Sequence, residues 1–425
     1  MLRQACRQGS SRGPWGPGDG WEVSDVWSEE RGGAQDELHV RVAHRKGQAV
    51  ECPVCHRKRG TYDTRERTWR HLDIWQHETI VHCAVPGADC PEDGVHACRM
   101  PWEVRPNPRF TALFEAQAIV MALSGMAVTA IAHLVHETDT RIWRLLGKAV
   151  SEARDAADCS DVVRVGTGDT ARRRGQSCIS IMADPDGQRA MAVTEGRDKG
   201  AVGRLCDELG GHGGDRTKVQ EVTRDMAEAC PLGAAAEMPQ AAQTVDRFHV
   251  AQLLNRAIDH VRCAERRESA EKRRQLAGTK CVWLKRKEPL TERQLAKREE
   301  LDPAKTHLRT ARACQMGEAL QDVYSCAGRE SAARALDRLC SWMMHSNVRE
   351  MKTVARTLRK EREGILDWWK RGSTNSFLEG LNSVVQSVRS AARGFRSIAY
   401  FRTMTFLRLG RLDFTAQKKL ACATH

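Results

Sequence analysis

Residues 161–196, DVVRVGTGDTARRRGQSCISIMADPDGQRAMAVTEG, carry the clearest periodic pattern in the chain. Apolar residues alternate with polar ones in three segments, which an arginine-rich turn and a Pro-Asp-Gly turn separate. Alternation with period two is typical of strands that bury one face, and short turns of this kind join antiparallel neighbours. The stretch therefore predicts a three-stranded antiparallel meander.

The segments that follow the meander indicate the fold class. AVGRLCDELG (201–210) has a helical pattern, TKVQEVTRD (217–225) and AAQTVD (241–246) read as short strands, and a helical piece lies between the two strands. Residues 247–370 are helical and highly charged, and a last helical block covers 373–411. This order is compatible with an α+β fold in which a long helical insertion interrupts a ribonuclease-H-like core.

The Gly-x-Gly of the first strand, in VRVGTGDTARRRG (163–175), suggests a phosphate-binding loop at first sight. That interpretation fails, because no third glycine follows at the spacing of a phosphate-binding loop and no helix follows. The stretch is better explained as a strand and its hairpin turn, with Asp169 at the strand end. The turn residues Arg172, Arg173 and Arg174 either contact phosphates or are simply solvated.

Composition and charge narrow the class of protein. The 425 residues include 68 basic and 55 acidic side chains, a formal charge of +13, which favours a polyanionic partner because neutralised phosphates release counterions. A merely basic soluble protein is the alternative. No run of about eighteen apolar residues could span a membrane, and the N-terminus lacks the apolar stretch of a secretory signal. We expect an intracellular protein whose 16 cysteines are mostly reduced.

A cysteine-rich segment near the N-terminus predicts a small structural zinc site. Cys52 and Cys55 form a Cys-Pro-Val-Cys knuckle whose two thiolates can bind one ion, and Cys90 is the best third ligand. The alternatives for the third ligand are Cys83 and Cys98, and those for the fourth ligand are Asp93, His96 and His82. Reduced cysteines without a metal are the competing interpretation.

Three consecutive helical segments predict a helix-turn-helix. FTALFEAQAIVMALSG (110–125) precedes MAVTAIAHLV (126–135), and the polar turn HETD leads into TRIWRLLGKAVSEAR (140–154). A longer second helix with Arg141 and Arg144 exposed suits contact with the major groove of DNA. An ordinary helical hairpin is the alternative, since the turn contains no glycine.

Three acids could form a catalytic centre. Asp169 and Asp225 end the first and fourth strands, and Glu379 lies on a downstream helix. Neighbouring strand ends and a facing helix would bring these carboxylates together as ligands of two divalent ions, which promote in-line phosphoryl displacement. Taken singly, each acid is better explained as a surface or turn residue. In DRFHV, Asp246 is interpreted as a helix cap with His249 beside it, supporting the floor of the site.

The ordered set of motifs resembles the ISL-three family of bacterial insertion-sequence transposases, which have a DDE catalytic domain. The resemblance covers residues 21–414. The motifs that carry it are specific for the family when taken together, although each motif alone is a weak signal. The matching motifs are WEVSDV, CPVC, TWRHLD (68–73), CPEDGV (90–95), PWEV (101–104), RFTALFEA (109–116), TARRRG (170–175), TEGRD (194–198), DM (225–226), DRFHV, GTKCVWLK (278–285), VARTLRKEREGILDWW (354–369), TNSFLEGLNSVVQ (374–386) and ARGFRSIAYFRTMTFL (392–407).

The resemblance implies a function and its cofactors. It implies that the protein binds double-stranded DNA, both transposon ends and target, and catalyses metal-dependent strand cleavage and strand transfer. Two Mg²⁺ or Mn²⁺ ions would lie at Asp169, Asp225 and Glu379, and a structural Zn²⁺ in the N-terminal module. It also implies a homodimer or higher oligomer at synapsis and a cytoplasmic, nucleoid-associated location in a bacterium.

Pattern and resemblance together predict seven segments. They are a disordered tail (1–20), a β-hairpin and zinc-binding module (21–104), a helix-turn-helix domain (105–156), the first part of the ribonuclease-H-like core (157–249), a helical insertion (250–372), the last part of the core (373–415) and a tail (416–425).

Three departures from the family pattern leave a second hypothesis open. Gly168 stands where the family has its first catalytic aspartate, Asp93 stands where a zinc-ligating histidine is expected, and Pro231 is expected to kink a helix. The first hypothesis is an active transposase. The second is a decayed or captured copy that acts only as a zinc-containing helix-turn-helix DNA-binding protein.

Overall fold

The computed structural model describes residues 20–30, 36–106, 108–171, 178–224, 226, 229–285, 289–302, 306–371, 376–391, 395 and 397–422. Contacts divide the chain into two units. The first unit comprises Met1–Ala156, Ala391–Arg408 and Leu412–His425, and the second comprises Ala157–Ser390 and Leu409–Arg411. None of the described helices combines the length and the apolar character that a bilayer crossing requires.

A five-stranded sheet forms the N-terminal part of the first unit. Its strands are β1 (Trp21–Glu29), β2 (Glu37–His44), β5 (Thr61–Ile74), β6 (His77–Cys90) and β7 (Gly94–Ala97). β1 and β2 pair antiparallel, so the predicted hairpin is confirmed. β5 and β6 form a longer antiparallel hairpin, and parallel pairing of β2 with β6 joins the two hairpins. Leu38, Val40 and Trp69 lie in the core of this sheet. A separate ribbon pairs β3 (Val50–Glu51) with β4 (Lys58–Arg59).

Three helices follow the sheet in the order that the sequence predicts. They are α1 (Ala112–Leu123), α2 (Val128–Leu134) and α3 (Asp139–Asp155). Thr111 caps α1 and Thr138 caps α3, each accepting a hydrogen bond from a backbone N–H of the first turn. His136 supplies the left-handed position of the α2–α3 turn, with φ of 52°, which explains how the turn forms without a glycine.

A second five-stranded sheet forms the centre of the second unit. Its strands are β8 (Arg164–Ala171), β9 (Cys178–Asp184), β10 (Arg189–Glu195), β11 (Glu221–Arg224) and β12 (Ala242–Val245). The order across the sheet is β10-β9-β8-β11-β12. β8, β9 and β10 pair antiparallel, which confirms the predicted meander, whereas β11 runs parallel to β8 and to β12.

Helices surround this sheet and form the rest of the second unit. They are α4 (Lys199–Gly210), α5 (Ala229–Glu237), α6 (Arg247–Glu265), α7 (Ala270–Gln275), α8 (Lys280–Leu284), α9 (Glu292–Glu300), α10 (Arg309–Tyr324), α11 (Arg329–Met344), α12 (Arg349–Lys360), α13 (Arg362–Leu366), α14 (Trp368–Arg371) and α15 (Ser376–Ala391). α4 packs Val202 and Leu205 against Val165 and Val222 on one face of the sheet. Helices between α6 and α14 bury a second core, to which Val245 of β12 also belongs.

Pro231 is the third residue of the described part of α5 (Ala229–Glu237). Residues 227 and 228 lie outside the described residues, so the kink expected at Pro231 stays a prediction.

Two helices near the C-terminus differ from the prediction for their segments of the chain. α16 (Ile398–Leu409) lies in the range assigned to the last part of the core, 373–415, but contacts group Ala391–Arg408 with the first unit. α17 (Thr415–Cys422) occupies most of the segment assigned as a tail, 416–425, and packs against α1. The predicted disordered tail, apart from Gly20, lies outside the described residues.

Candidate functional sites

Cys52 and Cys55 lie in a tight backbone turn between β3 and β4. The Cys52 N–H donates to the Arg57 carbonyl at 3.0 Å, and the His56 N–H donates to the Cys52 carbonyl at 3.0 Å. His56 takes the left-handed conformation, with φ of 57°. Cys52 is buried and Cys55 is partly exposed. The short ribbon thus holds both sulfur atoms at the tip of one turn.

Cys90 and Asp93 lie in a second turn, between β6 and β7, that faces the first. The Cys55 and Cys90 sulfur atoms are 3.6 Å apart, and Asp93 Oδ2 lies 3.3 Å from Cys90 Sγ and 3.9 Å from Cys52 Sγ. All four ligand atoms lie within 4.8 Å of one another. Ligand atoms about 2.0–2.3 Å from a tetrahedral zinc ion are roughly 3.3–3.8 Å apart, so these residues fit Zn²⁺.

The other ligands considered from the sequence lie elsewhere. His96 Nε2 is 2.7 Å from the Asp93 carbonyl oxygen, and His82 Nε2 is 2.8 Å from His39 Nδ1. Burial raises the pKa of Cys83 to about 12 and that of Cys98 to about 11. Among the described residues, none of these four belongs to the group formed with Cys52.

The two arginines predicted to contact DNA differ in their surroundings. Arg141 donates from Nη1 to both carboxylate oxygens of Glu137, at 2.6 and 2.7 Å, and lies over the ring of Phe110. Arg144 is exposed, and so are Thr140 and Lys148 on the same side of α3. The exposed surface of this helix therefore includes Lys148, which the sequence pattern did not single out.

The side of α3 that faces α16 is packed by aromatic side chains. The ring of Trp143 stacks on that of Tyr400, with centroids 4.2 Å apart, and the Arg154 guanidinium lies 3.6 Å from the centroid of the Phe406 ring. Gly147 lies where a side chain would contact Thr403. These contacts leave the Thr140–Arg144–Lys148 side of α3 as the exposed one.

Gly168 and Asp169 are successive residues of β8, so their positions face opposite sides of the sheet. The regular pairing of β8 with β9 places Asp169 opposite Ser180, whose hydroxyl donates to Asp169 Oδ1 at 2.6 Å. By alternation Asp169 shares its face with Val165, the face that α4 covers. Gly168 belongs to the other face.

The remaining predicted catalytic and DNA-contacting residues are only partly described. Glu379 belongs to α15, although its side chain lies outside the described part. Asp225, Arg172, Arg173 and Arg174 lie outside the described residues.

Asp246 is the N-cap of α6, as its sequence context indicates. Its Oδ1 accepts a hydrogen bond from the Phe248 N–H at 2.8 Å, and its own N–H donates to the Arg224 carbonyl at 2.9 Å. His249 Nε2 lies 3.7 Å from Asp246 Oδ2. The cap thus fixes the start of α6 beside the end of β11.

Comparison with known families agrees with this arrangement of modules. Residues 48–98 match the zinc-finger of transposase IS204/IS1001/IS1096/IS1165, and residues 100–150 match the helix-turn-helix domain of transposase family ISL3. Residues 165–405 match the DDE family of the same group, described as "Transposase". A zinc finger, a helix-turn-helix and a DDE domain in this order define a DNA transposase.

Since the DDE match alone covers more than half of the chain, this protein belongs to the ISL-three (ISL3) transposase family. It is 27% identical over 409 residues to the transposase for insertion sequence element IS1557 of Mycobacterium tuberculosis, covering 88% of this chain and 89% of the relative. It is 24% identical over 398 residues to the transposase for insertion sequence element IS1001 of Bordetella parapertussis, covering 92% and 95% respectively. Its function is DNA transposition.

Proposed function

We propose that this transposase acts on its own insertion sequence: it binds the element's ends, cleaves DNA strands there and joins them to target DNA. The match of residues 165–405 to the DDE transposase family carries the proposal. The formal charge of +13 suits a polyanionic substrate. Its place of action would be the bacterial cytoplasm at the nucleoid, and synapsis of two ends calls for a dimer or higher oligomer.

We propose a ribonuclease-H-like core for the second unit. The sheet order β10-β9-β8-β11-β12 supports it, because the central strand β8 lies beside β11 and both run in the same direction. Parallel neighbours end at the same edge of a sheet, where residues from both strands can serve one site. Arg224, the last residue of β11, is followed in the sequence by Asp225.

Asp225 and Glu379 are the proposed carboxylate ligands of the catalytic ions. Carboxylates suit Mg²⁺ or Mn²⁺, and a pair of such ions supplies activation of the attacking oxygen and stabilisation of the leaving oxygen. For the third ligand, Asp169 is the acid that the sequence offers. We propose that Asp169 remains hydrogen-bonded to Ser180 and that position 168, now glycine, is where a third carboxylate would complete the site.

DNA recognition is proposed for the first unit. Arg144 and Lys148, with Thr140, would contact the duplex from the exposed side of α3, while Arg141 holds Glu137. Arg172, Arg173 and Arg174 are proposed to contact phosphates near the catalytic centre. Cys52, Cys55, Cys90 and Asp93 would hold the structural zinc that fixes the two turns of the N-terminal module.

Strand cleavage in vitro tests the proposed activity. Full-length protein is incubated with a labelled duplex that carries an end of its element, with Mg²⁺ or Mn²⁺, beside Asp225→Ala and Glu379→Ala. Cleavage by the parent protein that both variants lose, while they still bind the duplex, supports the proposal. Specific binding by the parent without cleavage in either metal would overturn the enzymatic part and leave a DNA-binding protein.

A further inference from the structure

A second group of ligating side chains lies at the end of the β1–β2 hairpin, apart from the cysteine site. Glu29 and Glu37 are directly opposite each other on the two strands, and His39 is two residues further along β2. One oxygen or nitrogen atom from each of the three lies within 4.8 Å of the others. Glu37 and His39 are buried, and Glu29 is exposed.

His39 presents a buried nitrogen to the two carboxylates without a hydrogen bond. Its Nε2 lies 3.6 Å from Glu37 Oε2 and 3.7 Å from Glu29 Oε2, too far for hydrogen bonds. This atom is inaccessible to solvent and has no hydrogen-bond partner, and the His39 side chain is 7% exposed. A buried polar atom in this state requires a partner that the side chains themselves do not supply.

The other nitrogen of His39 sets the chemistry of Nε2. His39 Nδ1 lies 2.8 Å from His82 Nε2, so the two rings form a hydrogen-bonded pair. When His39 donates its Nδ1–H to His82, the lone pair of Nε2 points toward two carboxylates. In that tautomer three ligand atoms face one point: His39 Nε2 and one carboxylate oxygen each from Glu29 and Glu37.

We propose that Glu29, Glu37 and His39 bind a divalent transition-metal ion, with Zn²⁺ as the preferred ion. Ligand atoms about 2.0–2.2 Å from a zinc ion are roughly 3.3–3.6 Å apart, close to the separations around Nε2. The His82 contact matches the usual arrangement in which a ligating imidazole is oriented through its second nitrogen.

Cobalt titration of the full-length protein tests this site. Co²⁺ bound by thiolates gives an intense thiolate-to-metal absorption, whereas Co²⁺ bound by imidazole and carboxylate does not, so the two N-terminal sites are counted separately. We expect His39→Gln and Glu37→Gln each to bind one equivalent fewer than the parent protein, with the thiolate absorption retained as evidence of folding. Glu22→Gln, at the other end of β1, is the matched control and should bind as many equivalents as the parent.

Equal cobalt stoichiometry in the parent and in His39→Gln would overturn the proposal. Any Co²⁺ held by the catalytic carboxylates is common to all these proteins and cancels in the difference. The result is therefore independent of whether the protein cleaves DNA. Thermal denaturation gives a second measure: added Zn²⁺ should raise the Tm of the parent more than that of Glu37→Gln.

Discussion

Arg141 and Arg144 are one turn apart on α3, yet their contacts give them different roles. The Glu137 side chain is 5% exposed; Arg141 forms two hydrogen bonds with it, and Arg70 Nε lies 4.0 Å from its Oε1. Removing the two hydrogen bonds from Arg141 would leave this poorly accessible carboxylate with only the longer contact to Arg70, which destabilises the fold. Arg144 has an exposed side chain that can reach phosphates or base edges. Sequence alone ranked the two arginines equally, since it does not show which of them pairs with an acid inside the domain.

Arg144→Ala is expected to weaken binding of the element's end by roughly tenfold, the usual cost of about 1–3 kcal/mol for one groove contact, and to leave stability unchanged. Arg141→Ala should lower the free energy of unfolding instead. Fluorescence anisotropy with a labelled duplex and chemical denaturation measure the two effects. Equal loss of affinity in both variants, with unchanged stability, would contradict the distinction between them.

The first acid of the catalytic centre permits a second test at the level of single residues. Thr223 of β11 pairs with Gly166 of β8, two residues before Gly168. We expect Gly168→Asp to raise cleavage by at least roughly tenfold, since a third carboxylate would bind the catalytic ions more tightly. Asp169→Asn should change cleavage little. Loss of cleavage in a folded Asp169→Asn protein would instead identify Asp169 as a metal ligand.

At the scale of elements, the sequence located the meander β8–β10 and the hairpin β1–β2. Each includes at least one strand rich in buried residues and joins its strands by short connections, and β9 and β10 are buried along nearly their whole length. The β5–β6 hairpin was missed, because the first half of β5 is exposed on both faces and carries charged residues. α17 was missed because it is only eight residues long and buries little more than Ala421. Short or fully exposed elements lack the periodic signal on which sequence interpretation depends.

The two turns of the cysteine-rich module provide a test of the zinc ligands. Cys90→Ser should lower zinc affinity by roughly tenfold or more, since one of four ligands is weakened, whereas Cys83→Ser should retain the metal. Cys83 is a suitable control because it lies on the same strand, β6, but is buried away from the cluster. Metal analysis after dialysis against a competing chelator measures the difference. Equal zinc content in the two variants would contradict the assignment of Cys90.

The joint between β5 and α1 should make the first unit sensitive to acid. His71 Nδ1 lies 2.8 Å from the hydroxyl of Thr111, the cap of α1, and burial with the nearby Arg70 lowers the pKa of His71 to about 4. In the unfolded chain His71 therefore gains a proton near pH 6.5, whereas in the folded chain it gains this proton only near pH 4. Stability is complete above pH 6.5 and decreases by up to about 3 kcal/mol as the pH falls through this interval.

His71→Gln should flatten this part of the pH profile, whereas His133→Gln, at an exposed position of α2, should preserve it. Hydrogen exchange of the β5 amides between pH 7 and pH 4, corrected for intrinsic exchange rates, reports the stability of the first unit without assuming that the whole chain unfolds in one step. Parallel profiles for the parent and His71→Gln would assign the acid sensitivity to other groups.

At the scale of the whole molecule, the chain returns to its first unit after completing the second. α16 packs on α3 and α17 packs on α1, so the helix-turn-helix depends on residues almost 300 positions downstream. The sequence could not reveal this return, because nothing in a helical pattern states which earlier helix it contacts. The predicted helix-turn-helix domain ends at residue 156, but helices that pack against it lie near the C-terminus of the chain.

Removal of α17 should therefore weaken the first unit, although the deleted residues lie at the far end of the chain. Leu420 of α17 and Leu113 of α1 line a cavity of about 150 Å³ above the first sheet, together with Val81 and Trp102. A chain that ends at Arg411 would expose this apolar lining to water. Since Leu420 is only half-buried, Leu420→Ala should cost about 1–2 kcal/mol, less than the ~2–5 kcal/mol of a fully buried leucine, and the truncation should cost more.

Lys419→Ala, at the exposed neighbouring position, is the matched control and should behave as the parent. Exchange protection of the α1 amides and affinity for the duplex measure the outcome, and both should fall in the order parent, Leu420→Ala, truncation. Because α1 leads into the helix-turn-helix, a loss of DNA affinity would follow from loosened packing even though no DNA-contacting residue was changed. Unaltered α1 protection in the truncated chain would instead mean that the first unit is stable without its C-terminal helix, and that the packing of α17 contributes nothing to DNA binding.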